Sequence, residues 1–520
     1  MHTNDAQFCI NGIFSPDRKP HATVSEIKYL QQPIQMVGDF MSGMKQRRIS
    51  SRAEYLDFTF INRCHTLSWS DVYAEYFYCT DNCSGAVGDV DCAAFEPSSE
   101  EKMKKFPFFP IGCNGLAEVR VHTLDNARPH LSGNQRCWVV FRWYYRSQRY
   151  WEANKENPIA VERIELCPSR VNSYENADIE RLRREEGSSI RVQEASSSVE
   201  IWVRSKSEKY MRKCAIIDKA TGCLTSFCDQ DGSELLLEPL LPNITRACTD
   251  NDRGGVDRVK DLMPRWVSFK IQLVEQFFKY SFWYRWKRVG LDPQSPPKPQ
   301  CEVIKLSQEF EDSIVIDTII SIVSSEDQML CKFNVVYRFR CDGCVKIIVT
   351  VEPRYGTLGG SMLSLPRIGF SFCMNKTFRD LIYLGKGKGE NYPDRKAGSE
   401  IGLWSYQPQS GCDYIVPSEH GNRCDCSWLC CRDSNLAGFL FIAAHDGLGR
   451  SHFDFSALLH NQKELHIATH NHQLEERETG IHPIYVNLDM FSMGIGGDVG
   501  WDPCVYDDFL LKPDKVYKSR

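Results

Sequence analysis

The chain has 520 residues, with 63 Lys and Arg against 68 Asp and Glu, a net charge of −5, and 42% hydrophobic residues. That apolar content is enough for sizeable cores and excludes a disordered chain, while the weakly acidic balance argues against nucleic-acid or anionic-membrane partners. Aromatics at 12%, including 11 Trp, favour β-rich cores and sugar-stacking surfaces over coiled coils. The most apolar stretch, Ala437 to Ala444, falls far short of the ~20 residues that cross a bilayer. The first residues have neither the basic nor the apolar region of a signal peptide, so the expected setting is cytoplasmic and the 23 Cys are expected reduced and mostly buried.

Residues 1–32 read as the end of a larger element. Thr23-Val-Ser-Glu26 has the pattern of a capping box opening a short helix, with Val24, Ile27 and Leu30 on one face. Such a helix is too short to stand alone and must pack on something. From 33 to about 170 the signal turns to strands, notably Tyr55–Ile61, Ala117–Val121 and Trp138–Tyr145, separated by Gly, Asn and Pro. That spacing suits a sandwich of about a hundred residues. An insertion is expected at about 79–116, where Cys79, Cys83, Cys92 and Cys113 accompany a charged run. Residues 171–198, charged and then serine-rich, read as a linker.

From 199 onward the β signal continues to residue 520. Val199–Val203 alternates, and so does Lys346–Val351; the Asp342-Gly343 pair ahead of the latter predicts a hairpin turn. Pro293, Pro296, Pro297 and Pro299 mark one polar surface loop. A strand signal this long implies one large sandwich.

Five segments carry candidate chemistry. Cys424, Cys426, Cys430 and Cys431 are dense enough for zinc, yet they lie in a strand-like run with no second pair at finger spacing, and buried thiols are the expectation. Cys341 and Cys344 form a CxxC on the predicted hairpin turn, which lacks the helix a redox motif requires. His466, His470 and His472 would share one face if 465–474 is a strand; a polar ladder is expected there rather than a metal. Thr249 to Gly255 resembles a partial calcium loop, but its twelfth position is Asp261 instead of Glu, so a polar loop is expected. Finally, Gly494, Gly496, Gly497 and Gly500 lead into Trp501. These glycines permit a tight loop, and Trp501 reads either as a sugar-stacking residue or as a packed core Trp.

Several strings together resemble a known family. Asn4-Asp-Ala-Gln-Phe8-Cys-Ile-Asn11-Gly12, with Asp17-Arg18 and Pro20-His21, is similar to the end of the catalytic barrel of the large, lactose-cleaving β-galactosidases of glycoside hydrolase family 2. Thr245-Arg246-Ala247 with Asp250-Asn251-Asp252, Gly389 to Arg395, and Met493 to Asp498 with Trp501 resemble segments of that family's last domain. The resemblance extends in order over nearly the whole chain.

What the resemblance implies is an all-β chain: an immunoglobulin-like sandwich, then a large galactose-mutarotase-like β-sandwich (the small-chain domain, 199–520), preceded by a short remnant of a (β/α)8 barrel at 1–32. It implies Na+ held by the Phe8 carbonyl and the Asn11 side chain, Asn4 near a Mg2+ site, Trp501 stacking on the sugar, and Gly254 and Asp257 in a mobile loop beside it. The family's Ser and Glu in that loop fall on Val256 and Asp257, a departure from the pattern. Retaining glycosidases of this type use two glutamates about 5–5.5 Å apart. No motif for either is found here, so no catalytic residue is assigned. The implied partners are a β-galactoside and either a separately encoded N-terminal half or a homo-oligomer. The alternative is a catalytically inactive carbohydrate-binding or structural β-sandwich protein.

Overall fold

The computed structural model describes residues 13–15, 17–37, 46–49, 55–80, 104–105, 116–122, 137–146, 158–168, 188–204, 210–253, 281–310, 312–354, 364–408, 414–434, 438–443, 452–497 and 505–519. These residues form an all-β fold. Two sheets make a first sandwich, and three more build a second around a separate core.

In the first sandwich, Tyr55–Asn62 lies between Ile34–Met36 and Leu116–His122. The facing sheet runs Gln46–Ile49, Ala160–Pro168, Cys137–Tyr145, Val72–Thr80 and Lys104–Lys105. Alternate residues point inward, as a strand's period of two requires. Phe58 and Phe60 therefore meet Phe141 edge-on at 5.1 and 5.0 Å, and Phe60 meets Trp143 at 5.1 Å. Within the expected insertion, Lys104–Lys105 pairs with Glu75 and Tyr76 and so extends the sheet.

The second sandwich is built on one nine-stranded sheet, in the order Arg423–Cys426, Phe453–Leu458, Ile484–Ser492, Arg367–Met374, Leu236–Asn243, Leu224–Phe227, Arg212–Asp218, Ser198–Arg204 and Ser189–Glu194. Two smaller sheets cover one of its faces. The five-stranded one holds Lys298–Phe310, Ser313–Val323, Met329–Arg340, Val345–Pro353 and Tyr517–Ser519; the four-stranded one holds Glu400–Tyr406, Asp380–Gly387, Trp428–Arg432 and Gly438–Ile442. Phe370 and Phe372, two residues apart on one strand, meet Phe333 of the first cover and Phe439 of the second. A single apolar core runs beneath both covers.

The structure departs from sequence expectation in several places. Ser189–Glu194 is a strand paired with Ser198–Arg204, so the sheet begins inside the expected 171–198 linker. Its apolar residues are only half-buried at a sheet edge, which leaves a weak sequence signal. Thr23–Gln31 is a helix as expected, but it has no capping box: Ala22 is the N-cap, and Glu26 bonds outside the helix. Leu30, expected on the packed face, is exposed. Pro299 belongs to the edge strand Lys298–Phe310 rather than to a loop, a position where its missing N–H is harmless. The Cys341–Cys344 segment is the hairpin turn predicted, with Gly343 at φ 86°.

Among the described residues, the two sandwiches are joined by apolar packing, an ion pair and a bridging helix. Trp138 and Val140 on the outer face of the first pack against Ile401. Arg163 pairs with Glu400 at 2.5 Å and also donates to the Ile401 carbonyl. The helix Thr23–Gln31 bridges the two: Gln32, just past its end, donates to Glu162 at 3.1 Å, and Glu26 accepts from the Gly398 amide at 2.6 Å.

Candidate functional site

Where Phe453–Leu458, Ile484–Ser492, Arg367–Met374 and the end of Leu236–Asn243 lie side by side, the face of the nine-stranded sheet opposite the apolar core is polar and largely buried. Cross-strand register places Asp454 opposite Asp489, Asp489 opposite Gly369, and Asn487 opposite both Ser456 and Ser371. Asn243 donates to Asn487 at 3.0 Å, and Asn487 donates to Ser456 at 3.1 Å. Gly369 leaves room for the carboxylate, since a Cβ there would lie 2.5 Å from Asp489 Oδ1. Arg367 reaches Glu419 at 2.5 Å and Asp489 at 3.5 Å. Burial pushes the Asp489 carboxyl up to about 7, against the pull of Arg367.

Above this floor, segment 244–253 is tied down at both ends. Gln462 donates to the Thr245 carbonyl at 3.0 Å, and the Glu419 amide donates to Ala247 at 2.9 Å. Thr249 and Asp252 cap the short helix Asp250–Arg253 reciprocally: the Thr249 amide donates to Asp252 at 2.9 Å, and the Asp252 amide to Thr249 Oγ at 3.2 Å. Arg246, almost fully buried, binds Asp252 through two nitrogens at 3.0 and 2.6 Å. Burial opposes its charge, but Asp252 more than restores it, and the Arg246 pKa is raised.

The glycine-rich segment packs against the same knot. Arg246 donates to the carbonyls of Met493 and Gly494 at 3.2 and 3.1 Å, and Asn251 donates to Ile495 at 2.8 Å. From the other side, the Gly496 amide donates to Asp394 at 2.7 Å. Asp394 sits in the loop between Asp380–Gly387 and Glu400–Tyr406. There Glu390 pairs with Arg395 at 2.6 Å and accepts from the Gly421 amide at 2.7 Å, and Asn391 accepts from the Cys424 amide at 2.8 Å. Burial alone would raise the Glu390 carboxyl, but Arg395, the Gly421 amide and Tyr414 hold it below its usual range.

Three strings quoted from sequence, around 245–252, 389–395 and 493–497, thus converge on one buried network. The described chain breaks off at Arg253 and at Gly497, whose Cβ position lies 3.2 Å from Asn251. The six expected site residues, Trp501, Gly254, Asp257, Phe8, Asn11 and Asn4, lie outside the described residues. So do Val256 and Asp261. What the network can do is hold the ends of two segments at fixed separation.

The histidine expectation needs correction. Gln462–Ile467 is a helix and Asn471–Gln473 a 3-10 turn, so His466 does not share a strand face with His470 and His472. Asn461 and Glu464 form a capping box that starts the helix, a local signal the strand reading overlooked. His466 accepts from the Cys248 amide at 3.3 Å; burial first, then Arg253, pushes it down to about 4. Cys424, Cys426, Cys430 and Cys431 are buried free thiols on two consecutive strands that belong to different sheets. Among the described residues no cluster of His, Cys, Asp or Glu is arranged to hold a metal, and no helix is long and apolar enough to cross a membrane. Sequence reasoning missed the Arg367–Glu419–Asp489 group, because it forms only where two paired strands meet the loop that carries Glu419.

Comparison with known proteins gives this geometry a family. The family described as β-galactosidase small chain matches residues 211–520, the span that contains all three converging strings. The chain belongs to that family. Among its relatives, the β-galactosidase of Vibrio cholerae is 26% identical over 514 residues, covering 98% of this chain and 40% of that protein. The β-galactosidase of Psychromonas ingrahamii is 24% identical over 517 residues, covering 99% and 41%. An Enterobacter cloacae β-galactosidase is 31% identical over 296 residues, covering 57% and 24%. The chain spans about two-fifths of the length of the relatives that it matches over nearly its whole extent.

Proposed function

We propose that this chain is the C-terminal part of a cytoplasmic β-galactosidase that hydrolyses terminal β-D-galactosyl residues, as in lactose, by a retaining mechanism. Both catalytic glutamates lie outside the chain. In this reading residues 1–32 are the last βα segment of a (β/α)8 barrel, 33–170 an immunoglobulin-like domain and 199–520 the small-chain domain. The chain's contribution is recognition: Trp501 stacks on the apolar face of the sugar, with Gly254 and Asp257 beside it. Phe8 and Asn11 would hold Na+, and Asn4 would lie near Mg2+; the ions would order the site and offset negative charge. The partner is an N-terminal half or a second copy of the chain.

One observation carries the reading. The segments leading to 254 and to 501 leave the same buried network, tied by Arg246 to Asp252, Met493 and Gly494. A site formed from both segments needs that shared anchor. The test is hydrolysis of a chromogenic β-galactoside by the 520-residue chain alone, and after assembly with the N-terminal portion of a relative. The chain alone should be silent and the assembly active. Turnover by the chain alone, abolished by replacing one of its own glutamates, would place the catalytic pair inside it and end this reading.

A further inference from the structure

The loop 388–399 is held from two directions. Toward the body of the second sandwich, Glu390 accepts from the Gly421 amide at 2.7 Å and from the Tyr414 hydroxyl. Toward the N-terminal helix, Glu26 accepts from the amides of Ala397 and Gly398 at 3.2 and 2.6 Å, and Arg395 donates to Thr23 at 3.3 Å. The helix and loop backbones touch: a Cβ on Gly398 would lie 2.4 Å from the Ser25 carbonyl oxygen and 2.7 Å from Glu26 Cα. Asp394 stands between the two anchors and accepts from the Gly496 amide at 2.7 Å. The fit is close, because a Cβ on Gly494 would lie 2.4 Å from the same Asp394 oxygen.

Glu26 is therefore used unusually. A glutamate in the first turn of a helix ordinarily reaches back to the helix's own amides or to its dipole. Here its carboxylate is spent on two amides of a loop about 370 residues away in sequence. Hydrogen bonds to a charged group are the stronger kind, and two on one carboxylate fix orientation as well as distance.

We propose that Glu26 is a positioning residue for the glycine-rich segment. By holding Ala397 and Gly398 it fixes Asp394, and Asp394 fixes Gly496, the point from which the chain runs on to Trp501. The N-terminal helix, which in the proposed function belongs to the barrel, thereby sets the sugar-stacking segment of the other domain. That consequence for sugar recognition rests on the proposed function; the relay itself does not.

The test is amide hydrogen exchange on the full 520-residue chain without sugar, followed by mass spectrometry of peptides covering 493–497 and the remote core strand Ser313–Val323. Three variants are compared with the parent: Glu26→Ala, Glu26→Gln, and Gly398→Ala, which pushes helix and loop apart without changing any charge. Glu26→Ala and Gly398→Ala should speed exchange at 493–497 by about tenfold, as loss of a charged hydrogen bond predicts. Glu26→Gln, which keeps one acceptor oxygen, should speed it less. The core strand should not change. Unaltered exchange at 493–497 in Glu26→Ala and Gly398→Ala overturns the proposal, and so does equal acceleration in the core strand, which would make Glu26 a general stability residue. Failure here leaves the β-galactosidase reading intact, and failure of the complementation assay leaves the relay intact.

Discussion

At the end of the nine-stranded sheet that carries the polar network, both faces are largely buried but held together differently. One packs Phe370, Phe372, Ile368 and Val486 against two covering sheets, with aromatic rings meeting at about 6 Å. The other carries Asp489, Asn487, Arg367 and Asn243, each bonded or ion-paired to a named neighbour. Apolar burial is non-directional and tolerates small changes of shape, whereas a buried polar network is stable only when its partners keep their places. The apolar face thus secures the fold, and the polar face secures the position of segments laid over it.

The largest difference between the faces should appear with conservative substitutions. Asp252→Asn leaves the buried Arg246 charge without its counter-ion and should cost about 3–5 kcal/mol in chemical denaturation. Leu381→Met, equally conservative and fully buried in the apolar core, should cost less than about 1.5 kcal/mol. Equal losses would erase the distinction.

A second effect concerns recognition. If the proposed function holds, Trp501→Ala should weaken inhibitor binding by the assembly with an N-terminal portion about tenfold, the worth of roughly 1–2 kcal/mol of stacking. Melting temperature should move little. A large fall in melting temperature with unchanged affinity would make Trp501 a packing residue.

The smallest effect is on pH dependence, where two buried groups oppose each other. Asp489, raised to about 7, holds a proton in the native state that the unfolded chain releases near pH 4, so its contribution falls as pH rises across that window. Asp454, also raised by burial, adds to this trend. His466, lowered to about 4, is neutral in the native state and protonated when unfolded, so its contribution rises with pH between about 4 and 6.5. Asp489→Asn should uncover a rising stability slope of at most about 1.4 kcal/mol per pH unit, and His466→Gln a falling one. Denaturant midpoints at four pH values would measure both. Two variants sloping the same way would show that these groups do not set the balance.

Much of the fold was legible because strands advertise themselves by alternation: Val199–Val203 and Lys346–Val351 fall in Ser198–Arg204 and Val345–Pro353. The hairpin at Asp342-Gly343 was legible from turn chemistry. Ser189–Glu194 was hidden because an edge strand needs little apolar sequence. The histidine spacing suits a strand, but the capping box of Asn461 and Glu464 starts a helix at Gln462–Ile467 and overrides it. The three network strings stood out in sequence, but their bonding did not. Asp394 reaches Gly496, and Glu26 reaches Gly398, only because sheets and helix bring distant segments together.

The strand order also bears on how the chain is made. The first sandwich draws its described strands from residues 34–168, so it can close while translation continues. The nine-stranded sheet cannot, because Ile484–Ser492 lies inside it, between Arg367–Met374 and Phe453–Leu458. Until the ribosome has released that segment, two strands present bare hydrogen-bonding edges to solvent for as long as synthesis lasts. A stalled or shortened product ending before residue 484 would carry those edges permanently and should be a client for chaperones.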